Sequence, residues 1–360
     1  MGEPMSYLRR DVLKAGAAGA AFLGLGRSPA QAAGPYDDAV LVAGEPPLPS
    51  KGSFTIAVLP DTQNYSEKFP DTYLAQTRWI AANVQSRKIA AVLHLGDITN
   101  NNRPAEWENA DRAMRELDGR VPYCLVPGNH DYSEGGSCRD RTTLLNDYFP
   151  LSRFAKQPTF GGVYDREPNQ SENSFHLFEA EGRRFLVLAL EFGPRKDVVR
   201  WANEIANAHR DREAILITHA YMYFDSTRYD WAKYGSEQKW NPHSYPVAKA
   251  TDDDVSDGEE LWQELVNKHE NFILTLNGHV LGDGLGRVRT ATPGGREVEQ
   301  QLVNFQMRPA GGDGWLRLLE FKADGRTVQA YDYSPTRGES NESPQNRFAF
   351  EVPTPAAGPT

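Results

Sequence analysis

From residue 54 onward, short and almost continuously apolar segments alternate with segments whose apolar residues recur at helical spacing. The first three apolar segments are FTIAVLP (54–60), IAAVLHLGD (89–97) and VPYCLVPG (121–128). Strands that are apolar along their whole length are typical of parallel sheets covered on both faces. A helix at about 72–87 and another that begins at Pro104 supply the cover. This alternation predicts an α/β fold.

The second half of the chain adds short connections between strands. The segment NSFHLFEAEGRRFLVLALEF predicts a hairpin that turns near Glu181 and Gly182. Ser256 and Glu259 form a candidate capping box for a helix. The other strand-like segments are EAILIT, FILTLNG, QQLVNFQM, GWLRLLEFK and TVQAYDY. We therefore expect one α/β domain over residues 53–353, with two mixed sheets packed together and helices outside.

The N-terminus has the pattern of an export signal. Arg9 and Arg10 precede a short Ala/Gly/Leu run, and Ala32 closes a candidate cleavage site. The apolar run over 15–25 is too short for a membrane-spanning helix, which needs about 20 residues, so we expect no stable span. We predict export through the twin-arginine machinery and a periplasmic or extracellular location. The predicted plan is a signal peptide at 1–32, an exposed leader at 33–52, the domain at 53–353 with an insertion at 220–257, and a flexible tail at 354–360.

The charge balance restricts the class of partner. The chain has 39 Lys and Arg against 49 Asp and Glu, a formal net charge of -10. An acidic surface repels the phosphate backbone of a nucleic-acid polymer, so we do not expect such a partner. A small phosphorylated substrate remains possible, because a metal site supplies its own positive charge.

The two cysteines leave their redox state open. Export permits a disulfide between Cys124 and Cys138, whereas the apolar strand around Cys124 favours a buried thiol. Neither cysteine has the spacing of a zinc-binding motif.

Each apolar segment that we predict as a parallel strand ends in side chains able to bind a metal. They are Asp61 and Gln63, then Asp97, then Asn129, His130 and Asp131, then His219, and finally His279. The carboxyl ends of parallel strands converge on one crevice, and carboxylate, amide oxygen and imidazole suit divalent metals. One such residue alone would be an ordinary turn residue. Their recurrence at five strand ends predicts a metal site.

These ordered motifs resemble those of the calcineurin-like metallophosphoesterases. The matching motifs are Asp-x-Gln, Gly-Asp, Gly-Asn-His-Asp, an isolated His and Gly-His, over about residues 54–281. The resemblance implies a four-layer α/β/β/α sandwich with a dinuclear metal centre at the sheet edge. It also implies hydrolysis of phosphate monoesters or diesters by a metal-activated hydroxide.

The resemblance further implies a role for each site residue. Asp97 would bridge the two ions, and His130 would be the general acid or a transition-state stabiliser, oriented by Asp131. Asn129, His219 and His279 would complete the shell of one ion, and Asp61 and Gln63 would bind the other.

Two positions depart from the usual pattern of the family. Gln63 stands where His is more usual, and Leu281 stands where the motif has a second His. Both changes remove imidazole from the same ion, which favours Mn, Mg, Ca or Fe over Zn there. Water or Asp283 would fill the gap, although Asp283 is also a typical turn residue. The alternative is a mononuclear site made of Asp97, Asn129, His219 and His279.

The stretch from Ala220 to Tyr245 is rich in aromatic residues, with eight among its 26 residues. It follows His219 directly and forms the predicted insertion. Its rings would either cover the metal site and stack on substrate, with Tyr221 and Arg228 as substrate contacts, or form a small local core. Asn101 would face substrate or lie in an ordinary polar loop. A non-catalytic metal-binding protein with the same fold is the alternative function.

Overall fold

The computed structural model describes residues 34 and 36–353. The predicted signal peptide and the predicted tail lie outside these residues and stay predictions. Within the described part of the chain, no helix is both long and apolar enough to cross a membrane.

The described residues form strands and helices in the following order along the chain. The strands are β1 (Leu41–Ala43), β2 (Phe54–Leu59), β3 (Ile89–His94), β4 (Tyr123–Leu125), β5 (Phe160–Val163), β6 (Ser174–Ala180), β7 (Arg183–Leu190), β8 (Glu213–Thr218), β9 (Phe272–Asn277), β10 (Leu285–Ala291), β11 (Glu297–Val303), β12 (Leu316–Phe321), β13 (Thr327–Ser334), β14 (Glu339–Asn341) and β15 (Arg347–Glu351). The α-helices are α1 (Gln63–Lys68), α2 (Pro70–Asn83), α3 (Pro104–Met114), α4 (Leu145–Tyr148), α5 (Leu151–Phe154), α6 (Lys196–Ala208), α7 (Trp231–Tyr234), α8 (Pro246–Ala250), α9 (Gly258–Glu264) and α10 (Pro309–Gly312). Short 3-10 turns lie at Arg115–Leu117, Asn129–Asp131, Glu134–Gly136, Gly235–Glu237, Pro242–Ser244 and Val266–Lys268.

The strands form two mixed sheets. One has the order β1-β14-β13-β12-β2-β3-β4, with β15 also paired to β13, and the other has the order β10-β11-β9-β8-β7-β6-β5. Strands β2, β3 and β4 are parallel to one another, and so are β7, β8, β9 and β11. The carboxyl ends of these parallel strands carry the polar residues predicted to form a site.

Alternate residues of each central strand face different layers. In β2, Ile56 and Val58 pack in the core between the two sheets, whereas Ala57 and Leu59 pack toward α2 and α3. The outer face of the second sheet packs against α6 and α9. The layers are therefore helix, sheet, sheet and helix, which confirms the predicted four-layer sandwich. Side-chain alternation along a strand explains how one apolar segment serves two cores.

The predicted hairpin turn was confirmed, whereas the predicted helix cap was one residue away from the observed one. The predicted hairpin joins β6 to β7, and Glu181 and Gly182 both have positive φ, 46° and 78°, as a tight hairpin turn requires. The predicted capping box for α9 was wrong by one residue. Asp257 accepts from the backbone N–H of Glu260, and Glu260 accepts from that of Asp257.

The leader and the two cysteines are also described by the structure. Most described residues of the predicted leader are exposed, and within it β1 pairs with β14 and Tyr36 packs against Trp315. Cys124 and Cys138 are buried free thiols, so the question of a disulfide is answered in favour of two thiols in this structure.

Candidate metal centre

Polar side chains from both sheets lie at one edge of the sandwich. Asp97 follows β3 in the first sheet, whereas His219 follows β8 and His279 follows β9 in the second. One ligand atom from each of these three residues lies within 4.8 Å of the others. Asp97 Oδ1 is 3.2 Å from His219 Nε2, and the two imidazole rings are 4.8 Å apart between centroids. We call these three buried residues the metal cluster.

Backbone carbonyls orient both imidazoles. His219 Nδ1 lies 2.8 Å from the carbonyl oxygen of Leu95, and His279 Nε2 lies 2.8 Å from that of Trp240. A carbonyl oxygen can only accept, so each of these ring nitrogens carries the proton. The lone pairs available for a cation are therefore on His219 Nε2 and His279 Nδ1.

Close backbone approaches hold Asp97 in place. Asp97 has a φ of 47°, a left-handed conformation that is uncommon outside glycine. Its Oδ1 accepts from the backbone N–H of His130, 3.0 Å away. A Cβ atom at Gly128 would lie 2.1 Å from the same oxygen. Glycine is therefore required in the Gly-Asn-His-Asp motif, because any side chain there would push the Asp97 carboxylate away.

Three atoms around this edge are buried without a hydrogen-bond partner. They are Asn129 Oδ1, Gln63 Oε1 and His219 Nε2. A buried polar atom without a partner costs about 1–3 kcal/mol, and a bound cation would remove that cost. Because β3 lies between β2 and β4, Asp97 lies between the strand that leads to Gln63 and the strand that leads to Asn129. Buried oxygens without a hydrogen-bond partner therefore follow the strands on both sides of β3.

Asp61 is braced by groups that the sequence analysis did not identify. Its carboxylate accepts from the backbone N–H of His279, from Asn304 Nδ2 at 3.0 Å and from Gln306 Nε2 at 3.4 Å. Asn304 and Gln306 follow β11, which runs parallel to β9 and so ends at the same edge. The sequence signal for this pair is Asn304 and Gln306 in VNFQ, at the end of an apolar segment. We predicted that whole segment as strand and did not assign the two residues to the site.

The electrostatics of the metal cluster suit a positive charge. Burial is the largest influence on Asp97 and alone would raise its pKa, but His219 and His130 outweigh burial and hold the pKa well below its usual range. Burial would lower the pKa of His219, yet Asp97 raises that pKa to about 9. Burial, reinforced by Asp97, holds the pKa of Asp61 above its usual range, although His219 opposes the shift. In the metal-free protein a proton on His219 therefore lies where a cation would bind.

The role predicted for Asp131 differs from the structure. Its carboxylate accepts from the backbone N–H groups of Gly128, Ile98 and Thr99 and from the Thr99 hydroxyl. The His130 ring is oriented instead by the carbonyl oxygen of Asn100, 2.8 Å from Nδ1. Asp131 links the loop after β3 to the loop after β4, because its carboxylate accepts from N–H groups of both. The Asn100 carbonyl contacts only Nδ1 of His130, so Nε2 is left for other contacts.

The three predicted substrate contacts have other surroundings in the structure. Arg228 donates to Glu259 at 2.6 Å, and its guanidinium lies over the Trp262 ring at 4.8 Å. Asn101 Nδ2 donates to Glu106 at 2.8 Å, so this side chain belongs to the polar loop before α3. Tyr221 is fully buried. Local partners therefore satisfy the two polar side chains and packing encloses the ring, as in the local-core and polar-loop alternatives, and the substrate contacts stay predictions.

The aromatic insertion forms a local core against the metal cluster. Tyr223 and Tyr229 are buried in the same core as Tyr221, and the Tyr229 ring lies 6.0 Å from that of His279. Phe224 alone among its large hydrophobic side chains is strongly exposed, at 41%. The local-core alternative therefore describes most of this segment.

Asp283, which lies outside the insertion, accepts from the backbone N–H of Leu285, as a turn residue does.

Comparison with known proteins places these features in a wider group. The model of the calcineurin-like phosphoesterase family matches residues 54–283. The uncharacterized protein YvnB of Bacillus subtilis (strain 168) is 31% identical over 310 residues, which are 84% of this chain and 21% of YvnB. The chain thus spans about a fifth of the length of that relative.

Solved structures are also similar to the chain. The purple acid phosphatase PPD1 from yellow lupin (Lupinus luteus) seeds has a TM-score of 0.47 and 13% identity, over 85% of this chain and 55% of that chain. GAP50 of the Plasmodium inner membrane complex has a TM-score of 0.45 and 11% identity, over 84% of this chain and 90% of that chain. The 5'-nucleotidase precursor from Thermus thermophilus has a TM-score of 0.40 and 12% identity, over 84% of this chain and 56% of that chain.

Proposed function

The chain belongs to the calcineurin-like phosphoesterase family, and on that premise we propose that it hydrolyses small phosphate esters with bound metal ions. The observation that carries this proposal is the metal cluster, whose ligand atoms lie within 4.8 Å of one another. Both imidazoles already direct a free nitrogen away from their carbonyl partners. A binding site that is oriented in advance holds a cation without reorganisation.

Divalent ions at this edge would polarise the phosphoryl group and lower the pKa of a bound water, so that hydroxide forms near neutral pH. His130, with a proton on each ring nitrogen, would donate the Nε2 proton to the leaving alkoxide, since the Asn100 carbonyl accepts from Nδ1–H. The acidic surface, with a net charge of -10, favours a small substrate over a nucleic-acid polymer.

We propose a dinuclear centre with two unequal sites that share Asp97. Asn129, His219 and His279 would complete the stronger site. Asp61 and Gln63 would supply only oxygen to the weaker site, and Asp61 is already shared among three residues that donate to it. Oxygen ligands favour Mn, Mg, Ca or Fe over Zn. The alternative is a mononuclear centre without the second site.

A panel of phosphomonoesters and phosphodiesters, assayed with added Mn, Mg, Ca or Zn, tests the activity. We expect turnover by the wild type, and in His130→Ala a kcat lower by about 10²–10⁴-fold with metal content unchanged, because only the acid is lost. His209→Ala is the matched control, since it removes an imidazole at the end of α6. Firm metal binding without turnover of any ester would support a non-catalytic protein instead.

Calorimetric titration with Mn tests the number of ions. We expect two binding events of different affinity in the wild type and only the stronger one in Gln63→Ala. Gln263→Ala, which changes an exposed glutamine on α9, should retain both. A single event in the wild type under saturating metal would establish the mononuclear alternative and leave the hydrolase proposal to the ester panel.

A further inference from the structure

A groove lies at the opposite end of β4 from the metal centre. Its volume is about 560 Å³, within the range of small-molecule sites. Arg115 and residues 118–123, at the start of β4, line one side, and the other side is lined by residues around α5, namely Tyr148, Pro150, Ser152, Arg153 and 156–158. Asn129 follows the carboxyl end of β4, so the groove is separate from the metal cluster.

The groove has an excess of positive charge. Arg115, Arg120, Arg153 and Lys156 line it, together with a single acid, Asp118. Arg153 is held by Asp111 at 2.6 Å and by Asp118 at 3.2 Å, and Arg115 is held by Asp111 at 2.7 Å. Arg120 and Lys156 are exposed and enter no ion pair within residues 34 and 36–353. On a chain with net charge -10, this is a local positive surface that attracts anions.

Part of the groove lining is apolar. Tyr148 lines it and stacks on Trp107 with 6.2 Å between ring centroids and 13° between ring planes. Three prolines also line it, at positions 122, 150 and 158. Gln157 accepts from the backbone N–H of Tyr123 at 2.8 Å, which ties the two walls together. A flat apolar surface that is already ordered binds a flat ring with little loss of conformational entropy.

We propose that this groove binds a small anion that has a flat apolar body, of the class of aromatic carboxylates, sulfonates or phosphate esters. The ring would lie on Tyr148 and the prolines, and the anionic group would face Arg120 and Lys156. This inference does not depend on the proposed hydrolysis, because none of the residues that form the groove belongs to the metal centre.

Fluorescence titration with two matched probes tests the groove. The probes are 8-anilinonaphthalene-1-sulfonate and N-phenyl-1-naphthylamine, which has the same rings without the sulfonate. In the double variant Arg120→Glu/Lys156→Glu, we expect the Kd of the sulfonate to rise about tenfold and that of the neutral probe to stay the same. Lys51→Glu/Lys249→Glu is the matched control, because it makes the same change in net charge at exposed lysines elsewhere, and it should leave both Kd values unchanged.

Two further measurements locate the probe. Ser152 is exposed on the groove wall, and Ser152→Trp should block both probes because the indole fills the space. In the wild type, raising the ionic strength from about 0.05 to about 0.5 M should weaken binding of the sulfonate more than that of the neutral probe. Equal sulfonate affinity in the wild type and the groove variants would overturn the proposal, and so would binding that Ser152→Trp leaves intact.

Discussion

Two clusters of histidine and carboxylate side chains bring their ligand atoms equally close together, yet their hydrogen bonding differs. In each, one ligand atom from each residue lies within 4.8 Å of the others. The first is the metal cluster, Asp97, His219 and His279. The second, which we call the clasp cluster, is His243, Asp257 and Glu260, in the aromatic insertion and α9. Proximity of ligand types alone therefore does not distinguish a metal site from another arrangement.

Hydrogen-bond partners separate the two clusters. In the clasp cluster, His243 Nδ1 pairs with Asp253 at 2.7 Å and Nε2 pairs with Glu260 at 2.9 Å. Asp257 accepts from the backbone N–H of Trp231 at 2.6 Å and caps α9. In the metal cluster, His219 Nε2 lies 3.2 Å from Asp97 Oδ1 but outside hydrogen-bond geometry. A cation would take the place of a proton on His219 in the first cluster, whereas in the second it would have to break the hydrogen bonds of His243 and of the α9 cap.

Removing one carboxylate from each cluster should give the largest contrast. Asp97→Asn is expected to lose bound metal and to lower kcat/KM by about 10³-fold or more, since the lost charge stabilisation amounts to several kcal/mol. Asp257→Asn should keep its metal content and its rate. Elemental analysis of both purified variants, together with ester hydrolysis, measures this. Normal metal content in Asp97→Asn would remove the basis for the comparison.

Asp131 should behave like Asp257 and not like Asp97. Asp131→Asn replaces an acceptor of three backbone N–H groups by an amide that can serve only some of them. We expect the free energy of unfolding to fall by about 3 kcal/mol, with metal content unchanged in the folded protein. Urea denaturation measures the loss, and Asp140→Asn, at an exposed position, is the control. A loss of metal without a loss of stability would place Asp131 among the ligands.

Metal should stabilise the fold through the first cluster only. Mn at about 100 times its Kd should raise the free energy of unfolding of the wild type by about 2.7 kcal/mol. The same increase is expected in Glu260→Gln, whereas His219→Ala should lose most of it. Thermal or urea denaturation with and without Mn provides the test. If Glu260→Gln also loses the increase, the clasp cluster is itself a metal site.

The clasp cluster should show its own, smaller dependence on pH. Burial would lower the pKa of His243, but its hydrogen bonds with Glu260 and Asp253 raise that pKa to about 8. The group is raised above its unfolded value of about 6.5, so its contribution to stability is complete below about pH 6.5 and is lost as the pH rises through about 8. The difference between about 8 and about 6.5 corresponds to about 2 kcal/mol, and solvent screening around the partly buried ring reduces the expected loss to about 1 kcal/mol. Urea denaturation at about pH 6 and about pH 9 measures this loss. Subtracting the pH dependence of His243→Gln from that of the wild type separates the contribution of His243 from those of other groups. An identical pH dependence in the variant would show that His243 is not protonated in the fold.

The sequence by itself determined the order of elements and the kinds of site residue. Apolar segments and helical spacing are local properties, so the two sheets, their outer helices and the polar residues after β2, β3, β4, β8 and β9 were all predicted from them. The Glu181-Gly182 turn was predicted for the same reason, because its positive φ angles depend on two adjacent residues.

Only the tertiary structure decided which polar atoms are satisfied and which are left for a ligand. Asp61 and the backbone N–H of His279 are 218 residues apart in the chain, and Asn304 reaches the same carboxylate from β11. The Asn100 carbonyl, and not Asp131, orients His130, and Glu259 occupies Arg228. A hydrogen bond depends on distance and direction between two specific groups, and local patterns do not record which distant groups will meet. The residue types at strand ends can therefore be predicted from the sequence. Which of their lone pairs stay free for a ligand depends on how the two sheets pack together.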